Sequence, residues 1–261
     1  MREESKDVLI LCDTEEEYAG LMTDFLKSRK ALPWEIRTYT VVELLLKEEK
    51  PGQISMLVAA EGAYCDDCGM AYCGEQMIEN TRRYLGERSL DYVFITHTHY
   101  DHMGALPYIR REWPEAKVVG SYKAKTVFER EGAIRTIKRL GTEAQHTYSK
   151  RRDEIPVEGL AVDIVVSEGD SVPLGEQYIY VLEAKGHTDC CLCYVLEPAG
   201  LMFACESTGV VEEDQDVCSA ILKSYSDSIE SAHKCKAYGA KRIITPHFGI
   251  IPEFFNDTYF D

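Results

Sequence analysis

Short apolar runs and amphipathic stretches alternate along most of this chain, and that alternation predicts strands followed by helices. In the amino-terminal part, strands are predicted at residues 8–12 and 35–40, and helices at residues 14–26 and 41–50. A turn at Pro51-Gly52 closes this β-α-β-α unit. We therefore expect residues 1–53 to form an extension packed on a main domain of residues 54–261. A separate signalling module is the alternative.

The remainder of the chain continues this alternation and then becomes rich in short strands. Strands are predicted at residues 54–59, 63–67, 92–95, 117–120, 161–166, 171–174, 178–184, 192–196, 201–207 and 241–245, and helices at residues 74–85, 104–111, 122–130 and 226–240. In the first of these helices, Met77, Ile78 and Leu85 share one face, which we expect to be buried. The overall pattern predicts a layered α/β fold.

A dense group of potential metal ligands follows one of the predicted strands. Residues 96–102 have the sequence THTHYDH, which supplies three histidines and a carboxylate. Imidazole binds zinc, copper, iron and nickel, and an added carboxylate suits a hydrolytic or oxygen-activating centre. Because a strand end aims alternate side chains to one side, we expect His97, His99 and Asp101 to converge, with His102 supplied by the next turn.

This stretch resembles the His-x-His-x-Asp-His signature of the metallo-β-lactamase-fold superfamily. The resemblance covers residues 54–250 and implies an α/β fold of the αββα four-layer sandwich type, with metal ions at the edge where strand-end loops meet. In that family a Gly-His-Thr or Gly-His-Ser after a strand supplies a further histidine, which corresponds to His187 here. A histidine after a late strand supplies the final ligand, which corresponds to His247.

The chain departs from the family pattern at residues 205 and 206. Where the family has Gly-Asp after an apolar strand, this chain has Cys205 and Glu206. Glutamate carries the same charge on a stem one methylene longer. The resemblance therefore implies that Glu206 bridges two metal ions, with an altered separation or metal preference.

The resemblance thus implies two adjacent metal sites. The first would be formed by His97, His99 and His187, the second by Asp101, His102 and His247, with Glu206 between them. Two divalent ions are expected, with zinc favoured and iron or manganese as alternatives. A hydroxide held between them would attack the substrate, and Asp101, the expected catalytic residue, would orient it.

What these sites would do follows from the same resemblance. It favours a binuclear hydrolase similar to glyoxalase II and lactonases, acting on an ester, thioester, lactone or phosphodiester-type small molecule. The alternative is a diiron oxidoreductase similar to the flavodiiron proteins, although those carry His-x-Glu-x-Asp-His where this chain has His99. A non-catalytic metal-binding or regulatory module is a third class, suggested only by the amino-terminal unit.

Composition and charge limit which classes of partner we expect for this protein. A hydrophobic content of 45% is enough for a sizeable core, and a net charge of −16 argues against general binding to nucleic acid. We see neither an apolar run long enough to span a membrane nor a secretory signal, so we expect a cytoplasmic protein without membrane contact. The expected partner is a small-molecule substrate, and a homodimer is the default assembly.

The cysteines and one basic segment leave alternatives open. Ten cysteines without a signal peptide indicate reduced thiols, although Cys65, Cys68 and Cys73 form a less favoured candidate for a second metal or iron–sulfur site. Residues 117–152 carry ten basic residues against three acidic ones. This segment is either a solvated helix face or a lid that attracts an anionic substrate.

Overall fold

The described structure begins with two short strand pairs, one in the amino-terminal extension and one at the start of the main domain. This computed structural model describes residues 8–9, 36–37, 60–61, 64–65, 68–85, 89–174, 177–211, 217–247, 249–251 and 255–261. Strands β1 (Val8–Leu9) and β2 (Ile36–Arg37) pair in parallel, and β3 (Ala60–Glu61) and β4 (Tyr64–Cys65) form a hairpin. The helices predicted at residues 14–26 and 41–50 lie outside the described residues, so the packing of the extension stays a prediction.

A three-stranded parallel sheet forms the first half of the main domain. Its strands are β5 (Tyr92–Phe94), β6 (Lys117–Ser121) and β7 (Ile164–Val166), in that spatial order. The helices around it are α1 (Gly74–Leu85), α2 (Tyr100–Met103), α3 (Leu106–Glu112), α4 (Tyr122–Phe128) and α5 (Glu131–Tyr148). The bounds of α1 match the prediction, and Met77, Ile78 and Leu85 are buried as expected.

A six-stranded sheet forms the second half. Its strands lie in the order β15 (Gly249–Ile251), β14 (Arg242–Thr245), β11 (Leu201–Phe203), β10 (Leu192–Glu197), β9 (Gln177–Glu183) and β8 (Ser171–Leu174). Neighbours are antiparallel except β11 and β14, which are parallel and are connected through the hairpin β12 (Val210–Val211) and β13 (Val217–Cys218) and helix α6 (Tyr225–Tyr238). A last helix, α7 (Asn256–Phe260), follows β15.

Because side chains alternate between the two faces of each strand, the core consists of three clusters of buried side chains, one between each pair of neighbouring layers. In the first sheet, Val93 and Val118 pack with the helices α1–α4, whereas their neighbours Phe94 and Val119 pack with the second sheet. The second sheet repeats the pattern, since odd positions of β9 face the first sheet and even positions face α6 and α7. The layers therefore run helix, sheet, sheet, helix, which confirms the predicted αββα sandwich. None of the helices in the described ranges is long and apolar enough to cross a membrane.

Candidate metal centre

The structure brings all seven predicted ligands to one edge of the sandwich, where the loops after β5, β9, β11 and β14 meet. Seven side chains form three overlapping groups of three potential ligands. Within each group, the three ligand atoms lie within 4.8 Å of one another. These groups are His97, His99 and His187; His97, His102 and Glu206; and Asp101, His102 and His247. The first and third groups are the two sites implied by the sequence resemblance, and the second joins them through Glu206.

The geometry of residues 97–102 corrects one expectation. Alternate projection from a strand end was expected for His97, His99 and Asp101, but β5 ends at Phe94, and His99 is the extended N-cap of α2. Asp101 and His102 therefore lie on a helical turn. An acidic residue in the first turn of a helix interacts favourably with the free backbone N–H groups there, which explains why the chain begins a helix at this point.

Close backbone packing fixes the positions of two segments of the centre. A Cβ atom at Gly104 would lie 2.4 Å from the carbonyl oxygen of Tyr100, so only glycine allows the chain to leave α2 as it does. Gly186 has a φ of 136°, and a Cβ atom there would lie 2.0 Å from Ser228 Oγ on α6. Glycine therefore lets the loop that carries His187 approach α6 closely.

The tautomer of His187 follows from its partners. Its Nδ1 lies 2.5 Å from the carbonyl oxygen of Ala220, which can only accept a hydrogen bond, so Nδ1 carries the proton. The lone pair of Nε2 then points into the centre, 3.0 Å from Nδ1 of His99. The backbone N–H of His187 donates to Ser207 Oγ at 3.0 Å. A backbone carbonyl that holds the second ring nitrogen is typical of histidines that bind metals.

The Glu206 carboxylate lies between the two groups of histidines. Its Oε1 is 2.6 Å from His102 Nε2 and 3.1 Å from His247 Nε2, and its Oε2 is 3.7 Å from His97 Nδ1. The side chain is buried at the start of a 3-10 turn, Glu206–Thr208. One carboxylate therefore contacts histidines of both predicted sites.

His247 adopts a strained backbone conformation. Its φ of 65° lies in the left-handed region, where a residue with a β-carbon costs about 1 kcal/mol or more. Its side chain reaches Glu206 from there, and 30% of that side chain is exposed. Strain of this kind is concentrated at functional sites, because the surrounding structure has to impose it.

Burial and mutual proximity set the charge state of the centre. Burial lowers the pKa of His97 well below its usual value, and nearby His102 and His99 lower it further although Glu206 opposes them. Burial also lowers the pKa of His99. For Glu206, burial disfavours the ionised form, but the proximity of His102 and His97 and hydrogen bonds from His102 and His247 outweigh it, so the pKa lies well below its usual range. Neutral imidazoles beside an ionised carboxylate are the forms that bind cations.

The residues present fit a pair of divalent cations. Among the described residues, His97 Nε2 and Glu206 Oε2 are buried and have no hydrogen-bond partner. Buried polar atoms are nearly always paired, so an imidazole nitrogen and a carboxylate oxygen without hydrogen-bond partners in one cluster indicate a missing partner. Imidazole nitrogen and carboxylate oxygen are ligands that zinc, iron and manganese accept. That these residues hold metal stays a prediction, and within the described ranges no candidate group contains Cys68 or Cys73.

The basic segment borders the candidate centre, but many of its charges are neutralised. Helix α5 packs against α2, which carries Asp101 and His102. Within the segment, ion pairs join Arg135 to Glu131, Lys138 to Glu154, Arg139 to Glu143, and Arg151 to both Glu75 and Asp153. Lys123 and Lys125 on α4 are exposed and form no ion pair within the described part of the chain. Attraction of an anionic substrate stays a prediction.

Several residues that support the centre are not identified by the sequence analysis. The carbonyl of Ala220, the hydroxyl of Ser207 and the phenol of Tyr259 each hold a segment that carries a predicted ligand. A backbone carbonyl has no sequence signal, and a serine or tyrosine far along the chain is not distinctive in a single sequence. The two remaining histidines of the chain, His146 and His233, are exposed.

Comparison with known proteins identifies what the chain is similar to. The family model described as the metallo-beta-lactamase superfamily matches residues 67–247. Glyoxylase B2 of Dictyostelium discoideum is 27% identical over 116 residues, which is 44% of this chain and 35% of that relative. The aligned part therefore spans about a third of the curated relative's length.

Solved structures share the fold at low sequence identity. An archaeal metallo-beta-lactamase superfamily protein from Sulfolobus tokodaii is 19% identical with a TM-score of 0.53, and the match covers 66% of this chain and 67% of that one. The B3 metallo-beta-lactamase BLEG-1 is 16% identical with a TM-score of 0.53, and the match covers 73% of this chain and 83% of that one. At these identities the likeness shows the fold alone.

Proposed function

This chain belongs to the metallo-beta-lactamase superfamily, and from that membership and the geometry of its candidate centre we propose that it is a binuclear metal-dependent hydrolase. The observation that carries the proposal is the position of Glu206, whose carboxylate contacts His97 on one side and His102 and His247 on the other. A carboxylate between two sets of imidazoles is suited to bridging two cations. Zinc is the favoured metal, with iron or manganese as alternatives.

Burial divides the centre into a floor and an open side. His97, His102 and Glu206 are at most 3% exposed, so they form the floor. Asp101 and His247 are partly exposed, with 19% and 30% of their side chains accessible, so substrate approaches over them. When bound, two divalent ions would supply Lewis-acid chemistry that activates water and polarises a carbonyl or phosphoryl oxygen.

Asp101 is the residue best placed to handle a proton. Its Oδ2 lies 3.8 Å from His102 Nε2 and the side chain is partly accessible, so it can accept a hydrogen bond from a water molecule at the open side. The buried histidines, in contrast, are held by their neighbours in fixed orientations. We therefore assign orientation of the attacking water to Asp101, in addition to its place in the second site, and cation binding to Glu206 and the histidines of the three groups.

The substrate class follows from the resemblance to glyoxalase II and lactonases, supported by the partial similarity to glyoxylase B2. We propose an ester, thioester, lactone or phosphodiester-type small molecule. The test is a panel of these four classes, assayed with protein purified without added metal, alongside elemental analysis and oxygen consumption. Two bound ions with hydrolysis of one class support the proposal. Two iron ions with oxygen consumption and no hydrolysis would replace it with the diiron oxidoreductase.

Replacing two ligands of the first site tests the metal assignment directly. We expect His97→Ala combined with His99→Ala to lower bound metal from about two ions to one or none and to abolish hydrolysis, because a site left with one histidine cannot hold zinc tightly. The matched control is His146→Ala with His233→Ala, since both of these histidines are exposed and belong to none of the three candidate groups. Two ions retained in the first double variant would contradict the assignment.

A further inference from the structure

The turn that carries Glu206 is held from behind by the carboxyl-terminal helix. Tyr259 on α7 places its hydroxyl 2.7 Å from the carbonyl oxygen of Gly209 and 3.1 Å from Thr208 Oγ1. Thr208 Oγ1 in turn donates to the carbonyl oxygen of Cys205 at 2.8 Å. The two hydroxyls therefore contact both ends of the turn, on the residues immediately before and after Glu206–Thr208.

The hydrogen atoms available define how these contacts are satisfied. Each hydroxyl carries one hydrogen, so at most two of the three contacts are hydrogen-bonded at once. Donation from Tyr259 to Gly209 and from Thr208 to Cys205 satisfies both backbone carbonyls, which can only accept. Burial raises the pKa of Tyr259 well above its usual value, so its hydroxyl keeps the proton that it donates.

The position of Tyr259 is itself fixed by packing. The side chain is 1% exposed and belongs to the core cluster between the second sheet and the outer helices. Asn256 at the start of α7 donates to the carbonyl oxygens of Ala240 and Lys241, and Asp261 pairs with Lys236 on α6. The phenol therefore approaches the turn from a helix that is anchored at both ends.

The same turn positions two predicted ligands. Glu206 begins it, and Ser207 Oγ accepts a hydrogen bond from the backbone N–H of His187. Gly209, which follows the turn, has a φ of 120°, and a Cβ atom there would lie 2.7 Å from Val217 Cγ1. A shift of the turn would therefore move the carboxylate and loosen the loop of His187 together.

We propose that Tyr259 is a positioning residue for the metal centre, acting through its hydroxyl on the Glu206 turn. The inference rests on the proposed function, because it takes Glu206 and His187 as cation ligands. The Tyr259 hydroxyl bonds the backbone and a threonine of the turn and not a candidate ligand, and the side chain is buried. Its effect is on the orientation of the carboxylate, and the quantity that it changes is cation affinity.

The test compares two tyrosine-to-phenylalanine variants, each of which lacks one hydrogen bond that the parent makes in a buried or partly buried position. Tyr259→Phe keeps the ring in the core and removes only the hydroxyl, and we expect the more weakly held zinc ion to bind about tenfold less tightly. Tyr238→Phe is the matched control, because its hydroxyl bonds Glu197 Oε1 at 2.8 Å, away from the turn. Zinc affinity is measured by competition with a chromophoric chelator, and the cobalt-substituted proteins are compared by their visible spectra.

A second pair of variants guards against a purely structural loss. Thr208→Val removes the other hydroxyl and should weaken the same ion, whereas Thr208→Ser keeps the hydroxyl and should restore parental affinity. If the parent binds two ions and Tyr259→Phe binds them with unchanged affinity and an unchanged cobalt spectrum, Tyr259 has no positioning role. A parent that binds no zinc would instead overturn the proposed function, so the two failures are distinguishable.

Discussion

The carboxylate of Glu206 contacts three histidines that come from two segments of the chain, His97 and His102 after β5 and His247 after β14. Aspartate at this position, as in the family pattern, would place its carboxylate one methylene further back. The longer side chain of Glu206 starts from the buried turn at residues 206–208, which is closed by Gly209 and by Tyr259. At the scale of one residue, glutamate in place of the family's aspartate suits the position of this turn. The longer side chain brings the carboxylate from the backbone of residue 206 to the three histidines.

Two substitutions of Glu206 test this arrangement. Glu206→Gln keeps the shape but removes the charge that offsets two adjacent dications, so we expect the second ion to be lost first. Glu206→Asp keeps the charge but shortens the reach, so we expect reduced affinity, a shifted metal preference and some remaining activity. Elemental analysis and zinc competition measure both. Two ions bound by Glu206→Gln as tightly as by the parent would show that Glu206 is not a ligand.

At the scale of elements, apolar runs identified most strands because buried strands need β-branched and aromatic residues on their faces. The bounds of α1 were predicted because its polar and apolar positions separate cleanly. The short helix α2 was not predicted, because four residues, two of which are candidate ligands, carry no periodicity. Helix α5 was recognised only as a basic segment, since its charged side chains obscure the stripe that packs on the core.

The seven candidate ligands were predicted because each lies in a local motif next to a strand. Their mutual distances could not be predicted, since they depend on the packing of two sheets and on close approaches at Gly104 and Gly186. The contribution of Tyr259 depends on a contact across 50 residues of sequence, which a single sequence does not reveal. Motifs near strand ends are therefore visible in the sequence, and the contacts that orient them are not.

The ion pairs of the basic segment change which residues should attract an anionic substrate. Lys138 and Arg139 already have carboxylate partners, whereas Lys123 and Lys125 on α4 are exposed just after β6. We expect Lys123→Glu with Lys125→Glu to raise KM for an anionic substrate by roughly three- to tenfold at low salt, and less as salt screens the field.

The matched control for that prediction is Lys138→Glu with Arg139→Glu, which reverses the same number of charges. A smaller effect is expected there, because the reversed residues face Glu154 and Glu143 and change a locally neutral region. Steady-state kinetics at two salt concentrations separate the two double variants. Identical KM values in all three proteins at low salt would identify the segment as a solvated helix face.

At the scale of the whole molecule, the candidate centre joins both halves of the sandwich. His97 to His102 follow the first sheet, and His187, Glu206 and His247 follow strands of the second. Burial lowers the pKa values of His97 and His99 in this centre, which ties the stability of the metal-free protein to pH. Cations that bind only the folded chain would add stability in proportion to their occupancy, so the pH effect has to be measured with chelator present.

In the metal-free protein, we expect the free energy of unfolding to fall as the pH drops below about 6.5, the usual pKa of an exposed histidine. Burial lowers the folded-state pKa values of His97 and His99, so between those values and 6.5 the unfolded chain binds more protons than the folded one. Their contribution to stability is therefore complete above about pH 6.5 and is lost as the pH falls through the folded-state values. Glu206, whose pKa is also lowered, contributes above about pH 4.3, and that contribution is lost only on further acidification.

Urea unfolding between pH 8 and pH 5, with chelator present, measures the histidine contribution before Glu206 is affected. His97→Gln removes the histidine whose pKa is lowered more strongly. The unfolding free energy of this variant should therefore depend less on pH across that window than that of the parent. His233→Gln, which replaces an exposed histidine, should keep the parental slope. A parent whose unfolding free energy stays constant from pH 8 to pH 5 would show that the pKa values of these two imidazoles are the same in the folded and unfolded chains, which would contradict the prediction.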